Sequence, residues 1–240
     1  MPCSPFGSIV HAGDISFETF KEYMISLLDL LKKQGYKKLT IVHPSSCYTQ
    51  MVSANWLKEM GFSVMHTDDN QHIDLTKPLS IHSMEKRKLA KLNQTHAIRK
   101  LLPPEYESLH QFIEKCRRQQ GLTINIKLDT LLNLVSRLPD LYDAWVSVYK
   151  GKWTSAVLVT RVTPTIAYYY LPATDQVYKK HSPMVQLLDH IKSYYQGLGF
   201  ITLDLGISSI NGKKQEGLFQ FKERMGAERT DKYTFEISLQ

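Results

Sequence analysis

One order of elements occurs twice in this chain, and that repeat limits its fold more than any single motif does. From Phe17 to Gln34, apolar residues at Phe17, Phe20, Met24, Leu27, Leu28 and Leu31 fall at helical spacing, and Gly35 closes the helix. "KKLTIVHP" reads as a short buried strand stopped by Pro44, and Met51 to Met60 as a second helix closed by Gly61. "FSVMHTDDNQHIDL" follows as two strand-like pieces around a polar turn at Asp68-Asp69-Asn70. Near the other end, "SPMVQLLDHIKSYYQGLG" is a helix with Ser182 as N-cap and Pro183 at its first position. "FITLDLG" is a strand, and a helix ending in Met225-Gly226 and a last strand follow it. Short phrases recur in the same order. "LLD" begins at Leu27 and at Leu187, 160 apart; Met60-Gly61 returns at Met225-Gly226, 165 apart; Thr67-Asp68 returns at Thr230-Asp231, 163 apart. An offset that drifts only by loop lengths points to a duplication.

Between the two copies lies a segment the first copy lacks. "SMEKRKLAKLNQ" is a basic helix, "HAIRKLLPP" a strand, and "EYESLHQFIEKCRRQQG" and "LDTLLNLVSRLPD" are two more helices. Three strands follow at hairpin spacing: "YDAWVSVYKG", "WTSAVLVTRV" and "TIAYYYLPA". With 240 residues, the chain has room for one large domain or two small ones, and Pro78 marks a boundary. The expected division is 1–78 and 79–240.

No apolar run approaches a membrane span, and a cytoplasmic location is expected. Cys3, Cys47 and Cys116 are scattered without ligand spacing, so reduced thiols and no metal site are expected. HExxH, GxSxG, P-loop and GxGxxG signatures are all absent. A net charge of +7 suits an anionic partner such as a nucleotide, RNA or a phospholipid surface. Its densest cluster, Lys86, Arg87, Lys88, Lys91, Arg99 and Lys100, also reads as a solvated helix face. The most informative junction is "YYYLPATDQVYKKHSPMVQLLDHI". There a strand ends, Lys179 and Lys180 follow, and a helix opens at Ser182-Pro183. Unpaired N–H groups and positive partial charge at a helix start can hold a phosphate.

From Ser83 to Leu239 the order of elements resembles the acyl-CoA N-acyltransferase (GNAT) superfamily. More narrowly, the chain is similar to its FemAB-like branch, whose members carry two GNAT-like units in tandem. "PFGSI", the junction continued to "GLGFITLDLG", and "GLFQFKERMGA" carry the likeness. The resemblance implies an α/β fold of two mixed-sheet units: an incomplete N-terminal one and a complete C-terminal one. It implies a donor pyrophosphate held at Tyr178 to Val185, with Lys179, Lys180, His181, Ser182, Met184 and Val185 as contacts. The acyl group would lie between "TIAYYYLPAT" and "FITLDLG", with backbone N–H at Leu171 or Ala173 meeting its oxygen. Where the superfamily has a glycine-rich loop, this chain has "VYKKHSPMV". The donor implied is therefore acyl-CoA (acetyl-CoA) or, as in the FemAB-like branch, aminoacyl-tRNA.

Amide formation needs an oriented donor carbonyl, an N–H for the developing oxyanion, and groups that move protons. Asp204 and Asp175 are candidate bases; Tyr169, Tyr170 and Tyr233 are candidate acids. The expected function is an N-acyltransferase moving an acyl or aminoacyl group to an amine-bearing acceptor, with tRNA as a further partner. The alternative is a non-catalytic GNAT-like module that binds a nucleotide or a partner. RNA binding through the Lys86–Lys100 segment ranks third, because the sequence offers that segment no interleaved aromatics for stacking.

Overall fold

The structure, a computed structural model, describes residues 15–48 and 52–239; the "PFGSI" stretch lies outside them. In chain order the elements are α1 (Phe17–Lys33), β1 (Lys38–Val42), α2 (Val52–Glu59), β2 (Ser63–Asp74), α3 (Ser83–Leu92), β3 (Ala97–Lys100), α4 (Tyr106–Arg118), α5 (Leu128–Arg137), β4 (Tyr142–Tyr149) and β5 (Lys152–Arg161). They continue with β6 (Ile166–Tyr169), β7 (Ala173–Thr174), α6 (Pro183–Gly197), β8 (Thr202–Ile207), β9 (Ser209–Ile210), β10 (Lys213–Lys214), α7 (Glu216–Arg224) and β11 (Glu228–Ser238). Among the described residues no helix is long and apolar enough to cross a membrane.

The chain divides into two compact units, and neither is one run of sequence. The first takes the described residues up to Asn70, Ile207–Phe219, and those from Arg229 on; the second takes Gln71–Gly206 and Gln220–Glu228. In the first unit the strand order is β1–β11–β2. β1 and β11 are antiparallel, from Lys38↔Ser238 to Val42↔Thr234. α1 opens at Ser16, whose hydroxyl accepts the Thr19 N–H, and turns Phe20 and Met24 inward. These two pack with Ile41, Ala54, Leu57, Phe62 and Phe235 as the unit's core.

The expected turn at Asp68-Asp69-Asn70 does not form; β2 runs through it unbroken. Polar side chains break a strand when they compete for nearby backbone groups, and here each is engaged elsewhere. Asp68 Oδ1 accepts the Ser209 hydroxyl at 2.6 Å and the Gly212 N–H at 2.9 Å. Asp69 pairs with Arg229, and Asn70 donates to Ser45 Oγ at 3.1 Å. Ser209 and Gly212 belong to the β9–β10 hairpin, which the sequence reading did not anticipate.

In the second unit the order is β8–β6–β5–β4–β3, with the end of β2 beside β8. The sheet is mixed: β6 is antiparallel to β5 and parallel to β8. Residues alternate along β5, so Val157 and Val159 face one side while Ala156 and Leu158 face the other. α3 and α6 cover the first side with Leu92, Leu187, Leu188 and Ile191. α4 and α5 cover the second with Leu109, Ile113, Leu131 and Val135. Both faces are buried, which is why β4 and β5 read as continuous apolar runs. Near one end of this sheet, buried Asp143 joins Lys100 at 2.5 Å, Arg161 at 2.9 Å and the Tyr195 hydroxyl at 2.6 Å. Burial pushes the Asp143 carboxyl up, but the bonds from Lys100, Tyr195 and Arg161 outweigh it and hold the group ionised.

Candidate active site

Two strands of the second unit part, and chemistry-bearing side chains gather where they do. β6 and β8 pair as Ile166↔Thr202, Ala167↔Leu203 and Tyr168↔Asp204, and no further. Past that point β6 bends away: the N–H groups of Tyr170 and Leu171 both donate to Leu158 O, at 3.0 and 3.2 Å. Two donors on one carbonyl make a bulge, and the chain resumes against β5 as β7. β8 runs on to Ile207.

Asp204, buried at the parting, accepts the Gly206 N–H at 2.9 Å. Gly206 has φ +72, and a Cβ there would meet the Tyr168 ring and hydroxyl at 3.3 Å. Conformation and space both call for glycine. The Gly206 carbonyl accepts a 2.8 Å bond from Lys222 Nζ, a lysine only 6% exposed in α7. Burial draws the Lys222 pKa down to about 7, and the Asp204 charge keeps it from falling further. Burial, together with Asp204 and Tyr170, holds the Tyr168 phenol well above its usual range; the Arg117 charge works against them. Tyr168 is therefore a hydrogen-bond donor at any ordinary pH.

Lys222 was not singled out in the sequence, although a signal was there. It falls on the apolar stripe of α7 with Phe221 and Met225, an unusual place for a lysine. Tyr168 and Arg117 were likewise passed over.

The expected site residues take varied places. Asp204 lies at the parting, and Tyr170 stands beside Tyr168 with ring centroids 5.7 Å apart. Tyr169 points to the other side and donates to Met184 Sδ at 2.6 Å. Asp175 does structural work: it caps the 3-10 turn Gln176–His181 through the Val177 N–H and pairs with Lys115 at 2.8 Å. Burial raises its pKa, but the bonds from Lys115 and Val177 more than cancel that, so it stays ionised and is a poor proton acceptor. Tyr233 belongs to the first unit, where its hydroxyl donates to Asp231 and Lys58 sits over its ring. The Leu171 N–H is spent on Leu158 O, and Ala173 is paired with Ala156 in β7.

The start of α6 departs from the expected phosphate cradle. Ser182 has φ +55, and its side chain makes no cap bond. The Ser182 N–H goes to Lys179 O and the Val185 N–H to Ser182 O, while Pro183 has none to offer. Lys179, Lys180 and His181 are exposed on the preceding 3-10 turn. Next to them is an aromatic group: Tyr149 stacks on His96 at 4.8 Å and lies nearly parallel to His181 at 6.4 Å. Lys150 sits over the Tyr149 ring, and Lys152 is close by in sequence. In this group His181 is exposed and Tyr149 and His96 are half-buried, with lysines around them. Among the described residues no group of three or more His, Cys, Asp or Glu could hold a metal ion.

No protein-family model and no curated protein matches this sequence. Solved structures do match in shape. FemX superposes with a TM-score of 0.71 at 11% identity, over 92% of this chain and 77% of that one. L-PGS from Bacillus licheniformis gives 0.69 at 12% identity, over 91% and 73%. A GCN5-related N-acetyltransferase from Sphaerobacter thermophilus gives 0.56 at 10% identity, over 93% and 69%. With strands that part as described and these structural relatives, the chain has a GNAT-like fold of the kind seen in FemX.

Proposed function

We propose that the chain is an N-acyltransferase that moves an aminoacyl or acyl group to an amine, with the reaction centre where β6 and β8 part. The observation that carries this reading is Lys222: a buried lysine with a pKa near 7, bonded to Gly206 O beside Asp204. A base titrating near the working pH is what proton transfer from an amine requires. The amine attacks the donor carbonyl carbon, a C–N bond forms, and Lys222 takes the amine proton. Asp204 steadies the ammonium so formed, and the Tyr168 O–H is the donor nearest the developing oxyanion. When the intermediate collapses, the C–O or C–S bond breaks and Lys222 returns its proton to the leaving group.

For the donor, the start of α6 favours a charged tRNA over acyl-CoA. Of the cradle amides, those of Ser182 and Val185 are spent and Pro183 has none, whereas His96, Tyr149, Lys150, Lys179, Lys180 and His181 combine aromatic rings with positive charge. The test supplies radiolabelled aminoacyl-tRNA and acetyl-CoA in parallel to a panel of amines, with wild type, Lys222→Gln and Asp204→Asn. Transfer from aminoacyl-tRNA is expected. Lys222→Gln should slow it by about a hundredfold or more, and the wild-type rate should climb with pH through about 7. An unchanged rate and pH profile in Lys222→Gln would end the assignment of Lys222. No transfer from either donor by the wild type would leave the non-catalytic module.

A further inference from the structure

We propose that Arg117 seats an anionic group, a carboxylate or a phosphate, carried by the amine acceptor; this rests on the parted strands being the reaction centre. The three cations in the last turn of α4 differ in their partners. Lys115 pairs with Asp175 at 2.8 Å, and Arg118 pairs with Glu114 at 3.2 Å. Arg117 has no ion-pair partner among the described residues, and its Nε–H, shielded from solvent, donates to nothing. A buried N–H left unanswered has lost its water and gained nothing in return. Native structures keep such groups few, and a missing ion is one of the standing explanations.

The surroundings indicate where the missing partner sits. Arg117 is half-buried in α4, next to Cys116, which is fully buried against the sheet. Its charge acts on the phenols of both Tyr168, in β6, and Tyr170, just past its end, whose ring centroids lie 5.7 Å apart. Tyr168 also lies against Gly206, whose carbonyl takes the Lys222 bond. The Arg117 charge and the Gly206 that Lys222 bonds thus both bear on Tyr168. An acceptor whose anion sits on the guanidinium reaches past that ring with its amine at Lys222. The fork of a guanidinium meets two oxygens at once, which suits a carboxylate or a phosphate and gives a neutral amine nothing to hold.

Three small amines that differ in this group alone test the proposal: phosphoethanolamine, β-alanine and ethanolamine. Their binding at millimolar concentration is measured by calorimetry at constant ionic strength, with no turnover needed, so the outcome is independent of whether transfer is found. The proteins are wild type, Arg117→Gln, Arg117→Lys, and Arg118→Gln as a control that removes an equal charge from the same turn. One or both anionic amines should bind the wild type at least about tenfold more tightly than ethanolamine. That preference should vanish in Arg117→Gln and persist in Arg118→Gln. A phosphate seat keeps part of its affinity in Arg117→Lys, since a point charge serves it; a carboxylate seat held by the fork loses most of it. Equal binding of the three amines by the wild type, no binding of any, or an equal loss in Arg118→Gln overturns the proposal.

Discussion

At the scale of single residues, Lys222 is where stability and the proposed chemistry pull apart. Its ordinary pKa is 10.5 and its folded value about 7, so between those values the unfolded chain binds a proton that the folded chain does not. Stability therefore rises with pH across that window, and below about 7 the folded protein carries the whole cost of a buried charge. Lys222→Met removes that cost. The bond lost to Gly206 O is a separate penalty, about 1–3 kcal/mol and insensitive to pH. The melting temperature of Lys222→Met minus that of wild type should accordingly be most positive near pH 6 and fall steadily as pH rises toward 10. A difference that stays flat with pH would show that Lys222 does not titrate in this window. Asp143 shows the opposite solution for a buried charge, with two cations and a phenol supplied by its own unit.

At the scale of elements, the helices and most strands were legible because their signals are local. Apolar spacing, Gly35, Gly61 and Pro183 lie within or beside the elements they define. β2 was misread for the converse reason. What keeps Asp68 and Asp69 in a strand lies at Ser209, Gly212 and Arg229, and nothing near residue 68 announces them. The site was legible in the same uneven way. The parting of "TIAYYYLPAT" from "FITLDLG" and the place of Asp204 followed from the family resemblance. Lys222 and Arg117 become meaningful only once burial and missing partners can be seen. Asp68 affords a test of the hairpin's dependence on β2. Asp68→Ala strips the acceptor from the Ser209 hydroxyl and the Gly212 N–H, which should cost about 1–3 kcal/mol. A urea titration should show an earlier midpoint, and hydrogen exchange should quicken at residues 209–214. Unchanged exchange there would mean the hairpin holds itself.

At the scale of the molecule, the two similar runs of elements and the two compact units do not share boundaries. Phe17–Leu75 and Met184–Leu239 both run helix, strand, helix, strand, with β9 and β10 added in the later run. Yet β11 of the later run lies in the first unit, and residues 71–74 of β2 count with the second. A fragment of residues 79–240 should for this reason be insoluble or inactive, since its β11 loses both strand neighbours and exposes Phe235. Soluble expression of that fragment with full activity would contradict this. The place of β11 between β1 and β2 has a further consequence for the chain while it is being made. β1 and β2 leave the ribosome early and must wait, each with an unpaired edge, for a strand that begins only at Glu228. Through that interval the nascent chain offers other strands a vacant slot, so the first unit is most open to wrong pairing before β11 is made.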